Sequence, residues 1–378
     1  MDKGKFIGLF FLVILLLSAC KSYQVVEIPK NTTIEITTEE QRTENTSIEQ
    51  PSIEEQTSVE QTTTNFELFN PDLTYPNIYN GPLYATEMYW NTTNINEGDL
   101  FTALDANGIN YMLLLIPIDT DLNSAKTAIQ NHPSRILPIV NPGFTKEELQ
   151  KSFTASTLPS SYESAHRNAR NALETVTGLG VFDITSLGID ATNNKINDLY
   201  NYSMDNNLIL VMQLNKGEAQ RTAMEELVKE YPEVTFLFHI DPAEFRSYEE
   251  KYTQIIQDNK NVYVEIDAND ILYNGNKGLL EEYDNEKTAT AINDFVKEFD
   301  SSYQTYVNNA NARYEMLIET APNQIVWGIS LGPGYNYDSE VYNRVIKASR
   351  TFIQKISPEK KEDFAYKNAL SIFGEGNA

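Results

Sequence analysis

Eight short apolar runs, each separated from the next by a helical stretch, set the strongest limit on what this chain can fold into. They are LYATEM (83–88), INYMLLLIP (109–117), RILPIV (135–140), VFDITSLGI (181–189), LILVMQL (208–214), VTFLFHI (234–240), NVYVEID (261–267) and IVWGISL (325–331). Between them, GDLFTALDANG puts Leu100, Phe101 and Leu104 at helical spacing. AQRTAMEELVKEYP keeps Met224, Leu227, Val228 and Tyr231 on one face and stops at Pro232. Strands that alternate with helices build parallel β/α units. Eight is the number that closes a barrel, with chemistry at the carboxyl ends of the strands. The expected fold is an α/β (β/α)8 TIM barrel, and a doubly wound open sheet is the alternative.

The first residues read as a targeting segment. Two lysines precede an apolar run from Phe6 to Leu17, and Leu17-Ser18-Ala19-Cys20 follows. A charged head, a short apolar run and a small-residue cleavage site make a secretory signal, too short for a comfortable membrane span. The tetrapeptide resembles the lipobox of bacterial lipoproteins. That resemblance implies cleavage before Cys20 and lipid attachment to it. Residues 1–19 are thus expected to be a signal peptide and the protein to be exported and anchored to the bacterial cell membrane. An uncleaved membrane anchor is the other reading.

Cys20 is the only cysteine. A lipidated Cys20 leaves the folded part without a thiol, so neither a disulfide nor a zinc–thiolate site is available there. Residues 20–65 are rich in Thr, Glu, Gln and Ser and sparse in large apolar side chains. Such a stretch buries too little surface to offset chain entropy, which predicts a disordered tether. A coil of about 45 residues spans roughly 35–40 Å. Residues 66–378 remain for the barrel. The formal net charge is -25, and losing residues 1–19, with two lysines and one aspartate, takes it to about -26. That charge argues against nucleic acid and against docking on anionic lipid.

Polar side chains at the strand ends are the places to look for chemistry. Only three histidines occur, and of these only His239 closes a buried run. Histidine binds metals and moves protons near neutral pH. It is equally a residue that a neighbour such as Asp241 satisfies, and alternation places Asp241 on its face. Glu87, Asp119, Asp190, Asp241, Glu265 and Asp267 crowd the same ends. A carboxylate pair there suits acid–base chemistry or a hard cation, or simply reflects a very acidic chain. Tyr84, Tyr89, Trp90, Trp327, Tyr335 and Tyr337 flank the first and eighth runs, suited either to stacking on a sugar or to packing the rim. Gly332-Pro333-Gly334 predicts a turn after the eighth run. The long intervals 142–180 and 268–324 are either functional loops or extra helices covering the barrel. No phosphate-cradling glycine loop or nucleophile elbow stands in a strand–helix setting.

Five phrases, in order, resemble the amidohydrolase-related metal-dependent hydrolases. FTALDANGINYMLLL (101–115) is similar to that family's leader helix and second strand, and NHPSRILPIVNP (131–142) to its third strand. NVYVEID (261–267) and QIVWGISLGP (324–333) resemble its seventh and eighth strands, and KNALSIFG (367–374) its closing helix. The resemblance covers about Leu83 to Gly374. It implies a hydrolase or decarboxylase barrel with one or two divalent metals, zinc or manganese, activating water. The family's ligands would fall on Thr86 and Met88, on Gln213, on His239 and on Ser330, so only His239 keeps a ligand type. His132 and His166 lie in a helix–strand turn and a helix, away from these positions.

The expectation is therefore a degenerate hydrolase that binds a small molecule or glycan in the barrel mouth, without a metal. The alternative is an active hydrolase with a reduced or carboxylate-based zinc or manganese site around His239. The catalytic candidates are His239, Asp241 and Asp190. The ligand-binding candidates are Glu87, Gln213, Asp267 and Ser330.

Overall fold

In the computed structural model the eight strands close on themselves in sequence order, β1 to β8, every neighbour parallel. The structure describes residues 77–90, 97–117, 122–141, 159–183, 194–214, 216–275, 278–280, 289–329 and 338–374. The strands are β1 (Leu83–Tyr89), β2 (Ile109–Pro117), β3 (Ile136–Asn141), β4 (Gly178–Asp183), β5 (Ile209–Leu214), β6 (Phe236–Ile240), β7 (Val262–Asp267) and β8 (Ile325–Gly328). Closure is made by β1 against β8, where Thr86 sits opposite Gly328. That contact rules out the open sheet.

Helices fill the crossovers. They are α1 (Glu97–Ala106), α2 (Leu122–Asn131), α3 (Pro159–Leu173), α4 (Asn194–Asp205), α5 (Glu218–Glu230), α6 (Pro242–Ser247), α7 (Glu249–Asp258), α8 (Ala268–Ile271), α9 (Ala289–Thr320), α10 (Ser339–Lys355) and α11 (Asn368–Phe373). The face of α5 read from its spacing is the buried one, with Met224, Leu227 and Val228 all inside. Both long intervals carry helices: α3 lies in the first, and α8 and the 32-residue α9 in the second. Among the described residues no helix is long and apolar enough to cross a membrane.

Strand alternation sorts the apolar residues into two layers. Met112, Leu114 and Ile116 of β2 face outward to the helices, as do Phe236, Phe238 and Ile240 of β6. Tyr111, Leu113, Leu115, Ile139, Val211, Leu237 and Val326 fill the barrel itself. Each such side chain contributes about 1.5–3 kcal/mol when buried. The amino-terminal end of the barrel is plugged by α11. Phe373 packs on Tyr84 with ring centres 6.0 Å apart, and Tyr84 stacks on Tyr111 at 5.5 Å. Gly374, at φ 78, ends that helix in the left-handed conformation that glycine adopts without strain. With this end closed by aromatic rings, the carboxyl ends of the strands, the barrel mouth, are the place to look for chemistry.

One expectation is corrected here, and one alternative is decided. The fourth strand begins at Gly178, three residues before the apolar run read from the sequence, and residues 184–189 of that run lie outside the described residues. The cause is close approach: a Cβ on Gly178 would lie 2.5 Å from the carbonyl oxygen of Ile209. Glycine here is a packing residue of the strand and not a turn signal. The aromatics Tyr84, Trp90 and Trp327 are buried to 2% exposure or less and serve as packing, not as a stacking surface for sugars. The side chain of Tyr89, together with Tyr335, Tyr337 and the turn at 332–334, lies outside the described residues.

Candidate functional site

The barrel-facing positions nearest the mouth follow from the same alternation. Gln213 continues the inward row of Val211, His239 that of Leu237, Glu265 and Asp267 that of Tyr263, and Gly328 that of Val326. Strand pairing then sets Gln213 beside His239 and His239 beside Glu265. Glu265 is 1% exposed. A Cβ on Gly328 would lie 1.6 Å from its Oε1, so the glycine makes room for this carboxylate inside the barrel.

At the end of β7 the chain turns directly into α8. Asp267 is the N-cap, and its Oδ1 accepts from the backbone N–H of Asp270 at 2.7 Å. Asp270 reciprocates, its Oδ2 accepting from the Asp267 N–H at 3.1 Å. This capping box satisfies two helix-end donors and holds both carboxylates in fixed directions. The second oxygen of Asp270 meets His239, with Nε2 and Oδ1 3.3 Å apart. One ligand atom each from His239, Asp267 and Asp270 falls within 4.8 Å of the others. Behind them α9 supplies Arg313, whose Nη1 donates to the Asp270 carbonyl at 2.8 Å. Tyr314 beside it is fully enclosed. Burial first, and then the charge of Asp270, pushes its hydroxyl well above the usual tyrosine range. It therefore stays a neutral phenol at any working pH.

Two chemistries suit this arrangement. An imidazole oriented by a carboxylate accepts and returns a proton near neutral pH. One imidazole and two carboxylates are also a hard-to-borderline ligand set for a divalent cation.

The strand-one pair implied by the family resemblance takes a different course. Ala85 pairs with Met112 and Met88 with Leu114, so three steps on β1 match two on β2. This bulge reverses the alternation. Thr86 stays buried and donates its hydroxyl to the Trp327 carbonyl at 3.1 Å, while Met88 joins the outer apolar layer. The two positions do not share a face. Gln213 is an amide, so none of these three positions offers an imidazole.

Asp241 is also corrected. It follows β6 instead of continuing it, and its Oδ1 caps α6 by accepting from the N–H groups of Ala243 at 2.8 Å and Glu244 at 3.0 Å. Pro242 at the first helical position starts that helix at once, which turns Asp241 away from the face of His239. Its other neighbour is Lys216, 3.9 Å away. Asp119, Asp190, Ser330 and Cys20 lie outside the described residues, as does the side chain of Glu87. Asp270 and Arg313 were missed by sequence reasoning. The D-x-x-D spacing of Asp267 and Asp270 is the signal that could have found the first.

His132 and His166 lie in the turn after α2 and in α3, as read from the sequence. His166 is buried, its Nδ1 2.8 Å from the Tyr202 hydroxyl. Burial, followed by the charges of Arg170 and Arg167, lowers its pKa below the ordinary 6.5. The unfolded chain then binds this proton more tightly than the folded one. The stability contributed is present above pH 6.5 and is lost as pH falls through the folded value. Urea unfolding on either side of that pH should show a loss on acidification, and His166→Gln should flatten it. An unchanged slope in the variant would contradict the assignment.

No family model and no curated protein matches the chain. Among solved structures, its chain path is similar to that of a Pseudomonas putida protein described as a 2-pyrone-4,6-dicarboxylic acid hydrolase. That likeness has 12% identity and a TM-score of 0.49, over 78% of this chain and 97% of the other. A Burkholderia multivorans amidohydrolase with bound zinc gives 9% identity and a TM-score of 0.46, over 78% and 100%. An apo Agrobacterium tumefaciens protein gives 10% and 0.46, over 80% and 96%. The chain itself is a closed, all-parallel (β/α)8 barrel with its polar cluster at the carboxyl end of the strands.

Proposed function

We propose that this protein is an exported, lipid-anchored barrel of the amidohydrolase-related type whose mouth binds a small molecule or glycan and has lost the family's hydrolytic metal chemistry. The observation that carries the reading is the bulge in β1, which leaves Thr86 bonded to a carbonyl and turns Met88 into the outer core. A hydrolytic site of the family type needs both positions facing the mouth. What faces it instead is Gln213, His239, Glu265 and Asp267, a set of hydrogen-bonding groups suited to holding hydroxyls or amides. Cys20 supplies the anchor in this reading and the Thr/Glu-rich stretch holds the barrel off the membrane.

Thermal-shift and calorimetric titration of the full chain with a panel of neutral mono- and oligosaccharides tests this. The expected result is saturable binding that weakens about tenfold or more in His239→Ala, the loss of one buried polar contact. Turnover of lactone or amide substrates that depends on added zinc or manganese would contradict it.

A second reading rests on a separate observation. The ligand atoms of His239, Asp267 and Asp270 lie close enough together to share one cation. In that reading these three residues hold a zinc or manganese ion, which would supply a Lewis acid and an acidified water. His239 and Asp270 would then be ligands instead of a hydrogen-bonded pair.

A further inference from the structure

Outside the barrel wall, on the mouth side, a cavity of about 500 Å3 lies between α6, α7, the segment after α8 and the middle of α9. Its walls include Arg246, Glu249, Tyr273, Asn274, Asn309 and Arg313.

Arg313 is the unusual member. It is 5% exposed, and its guanidinium donates to the carbonyls of Asp270 at 2.8 Å and Tyr273 at 3.4 Å. It sits over the rings of Tyr273 and Tyr314, 5.0 and 5.4 Å from their centres. Among the described residues no carboxylate oxygen comes within ion-pair distance of it, and its buried Nε has no hydrogen-bond partner. A buried cation with no carboxylate at ion-pair distance lacks the direct counter-charge that normally offsets its desolvation. Arg246 is exposed on α6 and makes no ion pair among the described residues, in a chain with 54 acidic against 29 basic side chains. Two guanidinium groups thus line one concavity, neither of them in an ion pair among the described residues.

Glu249 is the one acid on the wall. Burial, and then Glu250 and Glu315, raise its pKa, which favours its neutral form. Asn274 and Asn309 complete the polar lining with two side-chain amides.

We infer that this cavity binds a small carboxylate that also carries hydroxyl groups, of the size and chemistry of a sugar acid. The planar fork of arginine matches a carboxylate with two parallel hydrogen bonds, and amides match hydroxyls. The volume is in the range of small-molecule sites. The inference goes beyond the reading of the His239 mouth and does not rest on it.

The test is titration of the full chain with glucuronate, glucose and inorganic phosphate, followed by calorimetry. Saturable binding of glucuronate that excess glucose does not displace is expected. Arg246→Gln should weaken glucuronate about tenfold, the worth of one charge-assisted hydrogen bond, and leave the thermal midpoint of the free protein unchanged. His239→Ala should leave glucuronate binding as it was. No response to glucuronate, an unchanged response in Arg246→Gln, or phosphate binding tighter than glucuronate would each overturn the assignment. Loss of glucuronate binding in His239→Ala would move the ligand to the barrel mouth and overturn it as well.

Discussion

Arg221→Ala should lower the free energy of unfolding by about 3–5 kcal/mol, the cost of leaving one member of a buried ion pair alone. Arg221 on α5 forms that pair with Glu244 on α6, and their side chains are 7% and 5% exposed. Tyr252 on α7 donates to the same carboxylate oxygen at 3.4 Å, and the ring of Tyr248 covers the guanidinium, 3.2 Å from its centre. The pair fastens the helix that begins immediately after β6, the strand that carries His239. Denaturant unfolding would register the loss as a lower midpoint at unchanged slope. The double variant Arg221→Met with Glu244→Leu should recover much of it, because neither charge is then stranded. By contrast, Lys229→Ala removes an exposed pair with Glu225 and should cost less than about 1 kcal/mol. A loss of similar size in both variants would contradict the distinction.

The second large effect belongs to Arg350. From α10 it reaches the amino-terminal end of the barrel and donates to four carbonyls. These are Tyr79 at 2.9 Å, Gly81 at 2.9 Å, Asn107 at 2.7 Å and Gly108 at 3.4 Å. One side chain thereby joins the segment leading into β1 to the loop leading into β2. Burial pulls its pKa down to about 10, so it is still a cation at neutral pH. Arg350→Ala strands several buried acceptors at once and should cost about 3–5 kcal/mol. Arg350→Lys should restore only part of this, since a point charge does not span four acceptors as a guanidinium fork does. Full recovery by lysine would show that charge alone matters there.

The barrel was legible in the sequence because its strands are short apolar runs between helices of clear period. Strand β4 shows where that signal weakens. Gly178 and Gly180 resemble turn residues, yet each lets the backbone of β5 approach closely, with Ile209 and Val211 carbonyls 2.5 and 2.4 Å from where a Cβ would be. His239 and Asp267 were readable as inward strand-end residues. Asp270 was not, because it stands one helical turn beyond the strand and faces His239 only through the capping box. Alternation placed Asp241 beside His239, and the helix cap that turns it away is a local choice made by Pro242. The bulge that sends Met88 outward leaves no mark in the residue pattern. Arg313 comes from the middle of a 32-residue helix and meets Asp270 only in three dimensions.

The central claim is that the mouth around His239 binds a ligand without a resident hydrolytic metal. Metal content of the full chain, purified without chelator and measured by plasma mass spectrometry, tests it most directly. The account predicts zinc and manganese well below one equivalent per chain, unchanged in His239→Ala. One tightly held equivalent of either metal that disappears in His239→Ala and Asp270→Asn would contradict it and establish the second reading.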